Sequence, residues 1–401
     1  MNSKIIGSIL IIAGTAIGGG MLAMPIISSG VGFPGITLIM VLIWLAMCYT
    51  AILLVETYRY NNPDDGLSTM TYKYLGKAGS IVTGISMLTL MFALVSAYIA
   101  GGSDILRLNL SKWLDIELTP QVTALIFTVL FGGIVALGAR VVDFATKWLF
   151  LIKLGFLLII VLIMFGYIQI ENLLQLPMER ALVFSSIPVI FTSFGFHIVV
   201  PSLVKYLDGN LKDLKKAFVY GSLLPLIVYI IWQSSILGSI NPQVFFDIIQ
   251  ENKGLEGMIK AVSTVSQSNW LQIPINVFTA AAILTSFLGV ALALFDYIKD
   301  LAKKKSFSKR PFIIYLITFI PPLLFALYYP KGFVVALSYA AISVVITSLF
   351  IPILMYIKVK QERKEKISFF QKIAFTLIMA FGIAILIIQT LMTMGKLPIL
   401  D

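Results

Sequence analysis

The chain has 401 residues, of which 59% are hydrophobic and only 12% charged, and its formal net charge is +11 at pH 7. Soluble domains carry about 25% charged residues, so this composition excludes an ordinary water-soluble fold and points to lipid as the solvent. A single cysteine, Cys48, excludes an internal disulfide.

Runs of roughly 20 apolar residues are long enough to cross a hydrocarbon core about 30 Å thick. Eleven are expected, at 5–29, 33–58, 79–106, 120–138, 143–166, 183–207, 213–238, 270–298, 311–329, 332–357 and 369–394. Turns such as "YNNPDDGLS", "NLSKWLDIELTP" and "KVKQERKEK" separate them. The expected fold class is therefore an all-α polytopic membrane protein with eleven transmembrane helices. Lys4 and the apolar run behind it resemble the start of a secretory signal. Pro25 and a glycine-rich centre stand where a cleavage site would be, so the segment is expected to remain as the first span.

Lysine and arginine set the orientation. With the N-terminus in the cytoplasm, twenty-two basic residues fall on the inner side, seven on the outer side, and Lys153 inside a span. The sequence thus predicts a membrane protein with its N-terminus in the cytoplasm and its C-terminus outside. The positive charge is topological, and no nucleic-acid partner is expected.

The first span holds "AGTAIGGGMLAMP", with Gly14, Gly18, Gly19 and Gly20 ahead of Pro25. Each glycine costs a helix roughly 1 kcal/mol relative to alanine. The sixth span holds "FTSFGFHIVVPS", in which Gly195 precedes Pro201 by the same six positions that separate Gly19 from Pro25. Two interrupted helices five spans apart enter the membrane from opposite sides, which is the inverted-repeat signature of secondary transporters. Taken alone, Gly14 to Gly18 also reads as a GxxxG packing face. The expected units are residues 1–166 as one five-helix repeat and 183–357 as its inverted partner. Residues 369–401 follow as an eleventh helix and C-terminus.

A broken helix presents free N–H groups that hold a carboxylate and free C=O groups that hold an ammonium or cation. An amino acid carries both charges on one carbon. His197, the only histidine, falls within the second break, and an ionisable group at that depth is functional by default. Lys153 lies ten residues into the fifth span, about 15 Å deep, beyond easy snorkelling. It is a candidate proton-binding site or tethered cation, with Thr285, Ser286 and the carbonyls of Gly14 and Ile17 as candidate acceptors bridging spans one, five and eight. Tyr98 is a candidate donor to a substrate carboxylate, or a packing residue. Glu56, Asp143, Asp208 and Asp296 fall near inner span ends, where pairing with Lys and Arg is the plainer reading; Asp104, near an outer end, reads as a gate or, more plainly, as a snorkelled surface charge. Residues 243–268 are too polar to span and are expected to form one or two amphipathic helices over the outer mouth.

With one histidine and no mid-membrane carboxylate, the sequence offers no catalytic or metal-binding set. An enzyme is not expected, nor a cofactor beyond a proton, and an eleven-span chain with two broken helices suits a receptor or channel poorly. The expected partners are a small amino acid and the surrounding lipid, with no obligate protein partner.

The stretches "GSILIIAGTAIGGGMLAMP", "SSIPVIFTSFGFHIVVPSLVKYLDGN", "TSFLGVALALFDYIKDL" and "PPLLFALYYPKGFVVALSYA" resemble the bacterial aromatic amino acid permeases, most nearly their tyrosine-specific branch. These are proton-linked symporters within the hydroxy/aromatic amino acid permease group. The resemblance covers essentially the whole chain. It implies a leucine-transporter-like 5+5 inverted repeat with spans one and six discontinuous around the substrate. It also implies proton rather than sodium coupling, with Lys153 where related folds hold a sodium ion. Gly18, Gly19 and Gly20 would then present amides to the substrate carboxylate. The second break, from Phe191 through Phe194, Gly195 and Phe196 to His197, would supply carbonyls for the ammonium and part of the side-chain pocket. His197 is also a candidate partner for a phenol hydroxyl, favouring tyrosine, with tryptophan, phenylalanine or serine as alternative substrates and sodium as the alternative coupling ion.

Overall fold

In a hydrocarbon core every backbone N–H and C=O needs a partner inside the protein, and a helix supplies nearly all of them within one segment. The computed structural model describes residues 3–175, 180–250, 254–265, 269–302 and 310–398, and these contain helices and no strand. In chain order the helices are α1 Ser3–Ala16, α2 Gly20–Ser28, α3 Phe33–Tyr58, α4 Leu67–Leu114, α5 Pro120–Ala136, α6 Ala139–Phe165, α7 Ile170–Leu173, α8 Arg180–Ser193 and α9 Val200–Tyr206. They continue with α10 Leu211–Ser239, α11 Pro242–Gln250, α12 Gly254–Thr264, α13 Gln272–Ala302, α14 Pro311–Tyr328, α15 Phe333–Val344, α16 Ile351–Glu362 and α17 Phe369–Thr393.

A helix or a broken helix lies over each of the eleven expected segments. Among the described residues, nine continuous or nearly continuous helical stretches are long and apolar enough to cross a membrane, and α1 with α2 makes a tenth, bent by 53°. The segment over α5 is shorter, at 17 residues. The third segment begins earlier than hydropathy indicates, because α4 starts at Leu67 and turns a corner at Gly76, whose φ of +70° favours glycine. Its polar first turns lie outside the apolar run and leave no hydropathy signal. The polar stretch 243–268 holds α11 and α12, apart from residues 251–253 and 266–268, which lie outside the described residues. Lys303, Lys304, Lys305 and Lys309, four of the basic residues used for orientation, also lie outside them.

The two glycine-marked stretches are where the helices stop. α1 ends at Ala16 and α2 starts at Gly20; α8 ends at Ser193, and the chain passes through a short 3-10 turn, His197–Val199, before α9. A third irregularity, a π-helical stretch Val345–Phe350, joins α15 to α16. The core runs around the breaks: every residue of α2 is buried, and α2 packs against α8, α10 and α12.

Charges collect at the ends of the helices. Lys4 pairs with Asp208 at 3.0 Å, Lys205 with Asp64 at 2.7 Å, and Glu56 with both Arg59 and Lys215. Asp104 departs from its expected surface place. It is only 8% exposed, with Arg107, Glu256 and Lys331 as charged neighbours, because α12 covers this end of α4. Arg107 donates to Glu256 of α12 at 2.6 Å, fastening that cover.

Close helix contacts depend on glycine at a few points. A Cβ on Gly102 of α4 would fall 2.4 Å from the ring of Phe127, which is itself held by Phe131 and Phe287 at ring separations of 4.7 and 5.2 Å. Gly133 of α5 faces open space. Gly102→Ala is therefore expected to destabilise the protein by about 1–3 kcal/mol through overpacking, and Gly133→Ala to leave stability unchanged or raise it slightly. Thermal unfolding of both variants in detergent reads the contrast, and equal melting temperatures would contradict this packing.

Candidate functional site

Interrupting α1 removes helical partners from the carbonyls just before the break. Some are recovered locally: Met21 and Leu22 donate their amides to the carbonyls of Gly18 and Gly19 at 3.3 and 3.0 Å. The others are taken by side chains from distant helices. Ala16 O accepts from the hydroxyl of Tyr229 at 2.5 Å and Ile17 O from the ammonium of Lys153 at 2.7 Å. Pro25 has no N–H to give Met21 O, and Trp232 Nε1 donates to that oxygen at 3.1 Å instead. On the other side of the break no side chain caps the first turn of α2. The amide of Gly19 donates to Ser286 Oγ at 3.0 Å.

The three glycines are spaced by close approach to three different helices. A Cβ on Gly18 would lie 2.5 Å from Ser286 Oγ of α13, one on Gly19 2.7 Å from the ring of Tyr98 of α4, and one on Gly20 2.5 Å from Ser193 Oγ of α8. Glycine here lets these helices pack directly on the backbone of the break, and Gly18 and Gly20 still form part of a cavity wall.

Lys153 is 1% exposed on α6. Besides Ile17 O, its ammonium reaches Thr285 Oγ1 at 3.5 Å and sits 4.9 Å from the ring centre of Phe150. Its partners are thus a carbonyl, a hydroxyl and an aromatic face, and it joins α1, α6 and α13. Of the four acceptors expected for it, Ile17 and Thr285 receive its hydrogen bonds. Gly14 packs against Phe150, and Ser286 takes the Gly19 amide. Among the described residues no cluster of His, Cys, Asp or Glu could hold a metal ion.

A cavity of about 710 Å³ lies between the breaks, within the range of small-molecule sites. Of the residues singled out in the sequence, Gly14, Gly18, Gly20, Tyr98, Lys153, Gly195, Thr285 and Ser286 line it. Gly19, whose amide was expected to face a substrate carboxylate, does not, because that amide is held by Ser286. It continues along Leu10, Ile11, Asp143, Lys147 and Ala293, toward the side on which α1 begins. On the opposite side α12 packs against α2, α4, α13 and α15.

Phe191, Phe194, Phe196 and His197 are turned elsewhere and are not among the lining residues. Phe191 meets Phe381 of α17 edge-on at 6.1 Å, and Phe194 meets Tyr229 at 5.1 Å. Phe196 stacks on His197 and on Phe218 of α10. His197 is 2% exposed, with Nε2 2.9 Å from Thr50 Oγ1 of α3 and no partner for Nδ1. The second break faces the cavity with Thr192, Ser193, Gly195, Ile198 and Val199 instead. The apolar lining nearby includes Met91, Leu94, Leu337 and Val344.

Residues 1–391 match the tryptophan/tyrosine permease family. The chain belongs to that family. The permease is 40% identical over 84% of its length to tyrosine-specific transport system 1 of Haemophilus influenzae, covering 84% of that protein. It is 36% identical over its whole length to tyrosine-specific transport system 2 of the same organism, covering 99%. Glutamine transporter 2 of Aliivibrio fischeri is 30% identical over 97% of the permease and 100% of its own length. Among solved structures, MhsT in complex with L-phenylalanine superposes with a TM-score of 0.63 at 17% identity, covering 96% of the permease and 97% of that chain. The permease thus shares the MhsT fold and is a membrane transport protein, not an enzyme.

Tyr229, Trp232 and Gln233 of the permease escaped the sequence reading. The one available signal was a glutamine in the middle of an apolar span, in "YIIWQSS". The Gly18 contact gives a direct check on the first break. Gly18→Ala is expected to lower both stability and substrate affinity, because its Cβ meets Ser286 Oγ. Its Cβ would remain 3.7 Å from Ser286 Cβ, so Gly18→Ala/Ser286→Ala should recover part of the loss. A double-mutant cycle on melting temperature and ligand binding measures this coupling, and simple additivity would count against the contact.

Proposed function

We propose that this permease imports an aromatic amino acid, tyrosine first, together with a proton, by alternating access across a bacterial cytoplasmic membrane. In this reading the chain crosses eleven times, N-terminus inside and C-terminus outside, as two inverted five-helix units and a final helix. The observation that carries it is the ammonium of Lys153 on the Ile17 carbonyl, at the edge of a cavity between two broken helices.

The substrate carboxylate would lie at the start of α2 beside Gly20, where the helix dipole favours negative charge; the Gly19, Met21 and Leu22 amides are already engaged. The substrate ammonium would take carbonyl oxygen at the ends of α1 and α8. A protonated Lys153 holds α1, α6 and α13 together through hydrogen bonds that its neutral form weakens, so proton release toward the cytoplasm loosens the first break. The cavity runs toward the side on which α1 begins, which in this orientation is the cytoplasm, giving an inward-facing arrangement. The Arg107–Glu256 pair and α12 would then close the outside.

Tyrosine is favoured by the names of the two relatives at 36–40% identity. The glutamine transporter among the relatives supports a second reading, a symporter for another neutral amino acid. The phenylalanines of the second break face protein rather than cavity, so selection of the side chain would fall to Met91, Leu94, Leu337 and Val344.

Uptake of labelled amino acids into proteoliposomes tests the proposal. A pH gradient, acidic outside, is expected to concentrate tyrosine in the wild type with or without sodium. Lys153→Gln is expected to bind and exchange tyrosine yet fail to concentrate it. Uphill uptake by Lys153→Gln with intact pH dependence, or a strict sodium requirement in the wild type, would overturn proton coupling through this residue.

A further inference from the structure

Tyr229 is fully buried on α10, and its hydroxyl touches the backbone of both breaks. It lies 2.5 Å from Ala16 O, at the end of α1, and 2.9 Å from Ser193 O, at the end of α8. Both residues close a half-helix, so neither carbonyl has a regular helical donor. The phenol ring is held edge-on by Phe194, with ring centres 5.1 Å apart. The neighbouring Trp232 and Gln233 anchor the same stretch of α10 to Met21 O and Ser28 Oγ of α2.

A phenol hydroxyl has one proton, and two carbonyls stand within its reach. Whichever carbonyl receives that proton, the other keeps only the oxygen–oxygen approach. A buried acceptor left without a donor is costly. Ala16 and Ser193 both line the cavity, so a donor for the second carbonyl has a way in. An ammonium brings three N–H donors and a positive charge.

We infer that Tyr229 is a positioning residue: its hydroxyl fixes the spacing of the two break carbonyls and leaves one of them for the ammonium of the amino acid in the cavity. The inference rests on the amino acid site proposed above. Tyr229 would then govern whether the transporter requires an α-amino group, a matter separate from which side chain it prefers.

Equilibrium binding to the purified full chain in detergent tests this with two ligands, tyrosine and 3-(4-hydroxyphenyl)propanoate, which lacks only the ammonium. In the wild type tyrosine is expected to bind far more tightly. Tyr229→Phe is expected to weaken tyrosine about tenfold or more, the scale of a hydrogen bond to a charged group. It should change the des-amino compound little, so the ratio of the two affinities falls. An equal loss for both ligands would mark Tyr229 as merely structural and overturn the inference, as would no loss for either. If the wild type binds neither ligand, the tyrosine reading fails, which distinguishes the two, and the same ratio is read with tryptophan and its des-amino analogue. Should Tyr229→Phe not purify folded, Tyr229→His, whose ring N–H lies closer to the chain than the phenol hydroxyl, is read by the same ratio. A selective loss of tyrosine supports the inference, and an equal or absent loss overturns it.

Discussion

Backbone groups freed at a helix break in a dry interior must find partners, and the rest of this structure is arranged to provide them. α10 supplies two from one face. Tyr229, Trp232 and Gln233 stand at the i, i+3, i+4 spacing that places side chains together; Tyr229 and Trp232 reach Ala16 O and Met21 O, and Gln233 adds a bond to the Ser28 hydroxyl. Lys153 from α6 and Ser286 from α13 supply two more, on Ile17 O and the Gly19 amide. The break in α1 is thus a junction at which three other helices are tied to one short stretch of backbone. That arrangement lets a local event, such as a ligand filling the cavity, bear on several helices together.

The charges follow two regimes. At the helix ends, Lys4–Asp208, Lys205–Asp64 and Glu56–Lys215 are partly exposed pairs whose individual contribution is small. At Lys153 a single amine is buried against a carbonyl, a hydroxyl and the Phe150 ring. Dipoles and an aromatic quadrupole stabilise an ammonium less completely than a carboxylate would. Loss of that amine's proton would leave no unpaired carboxylate behind, which fits the proton coupling proposed above.

Helix positions were legible because apolar runs of fixed length are a direct consequence of lipid solvation, and the breaks were legible because glycines and a proline recur at equal spacing. Lys153 was legible because a charge in the middle of a span has few explanations. The directions of Phe191, Phe194, Phe196 and His197 were not. Side-chain direction follows the helical period only while the helix continues, and Phe194, Phe196 and His197 lie past the end of α8; Phe191 is still inside α8, on the face that meets Phe381 of α17. Tyr229 was hidden for the opposite reason, since a tyrosine inside an apolar span reads as packing until its hydroxyl partner is seen. The full length of α4 was hidden because its start, before the Gly76 corner, is not apolar.

Cys48 is the chain's only thiol, and it is buried in α3. The native protein is therefore close to a thiol-free background for water-borne maleimides. A cysteine introduced at Leu10 or Ala293, on the open arm of the cavity, would be the principal reactive group in the molecule. Its labelling rate would then report, as a clock, how far water reaches into this arm of the cavity.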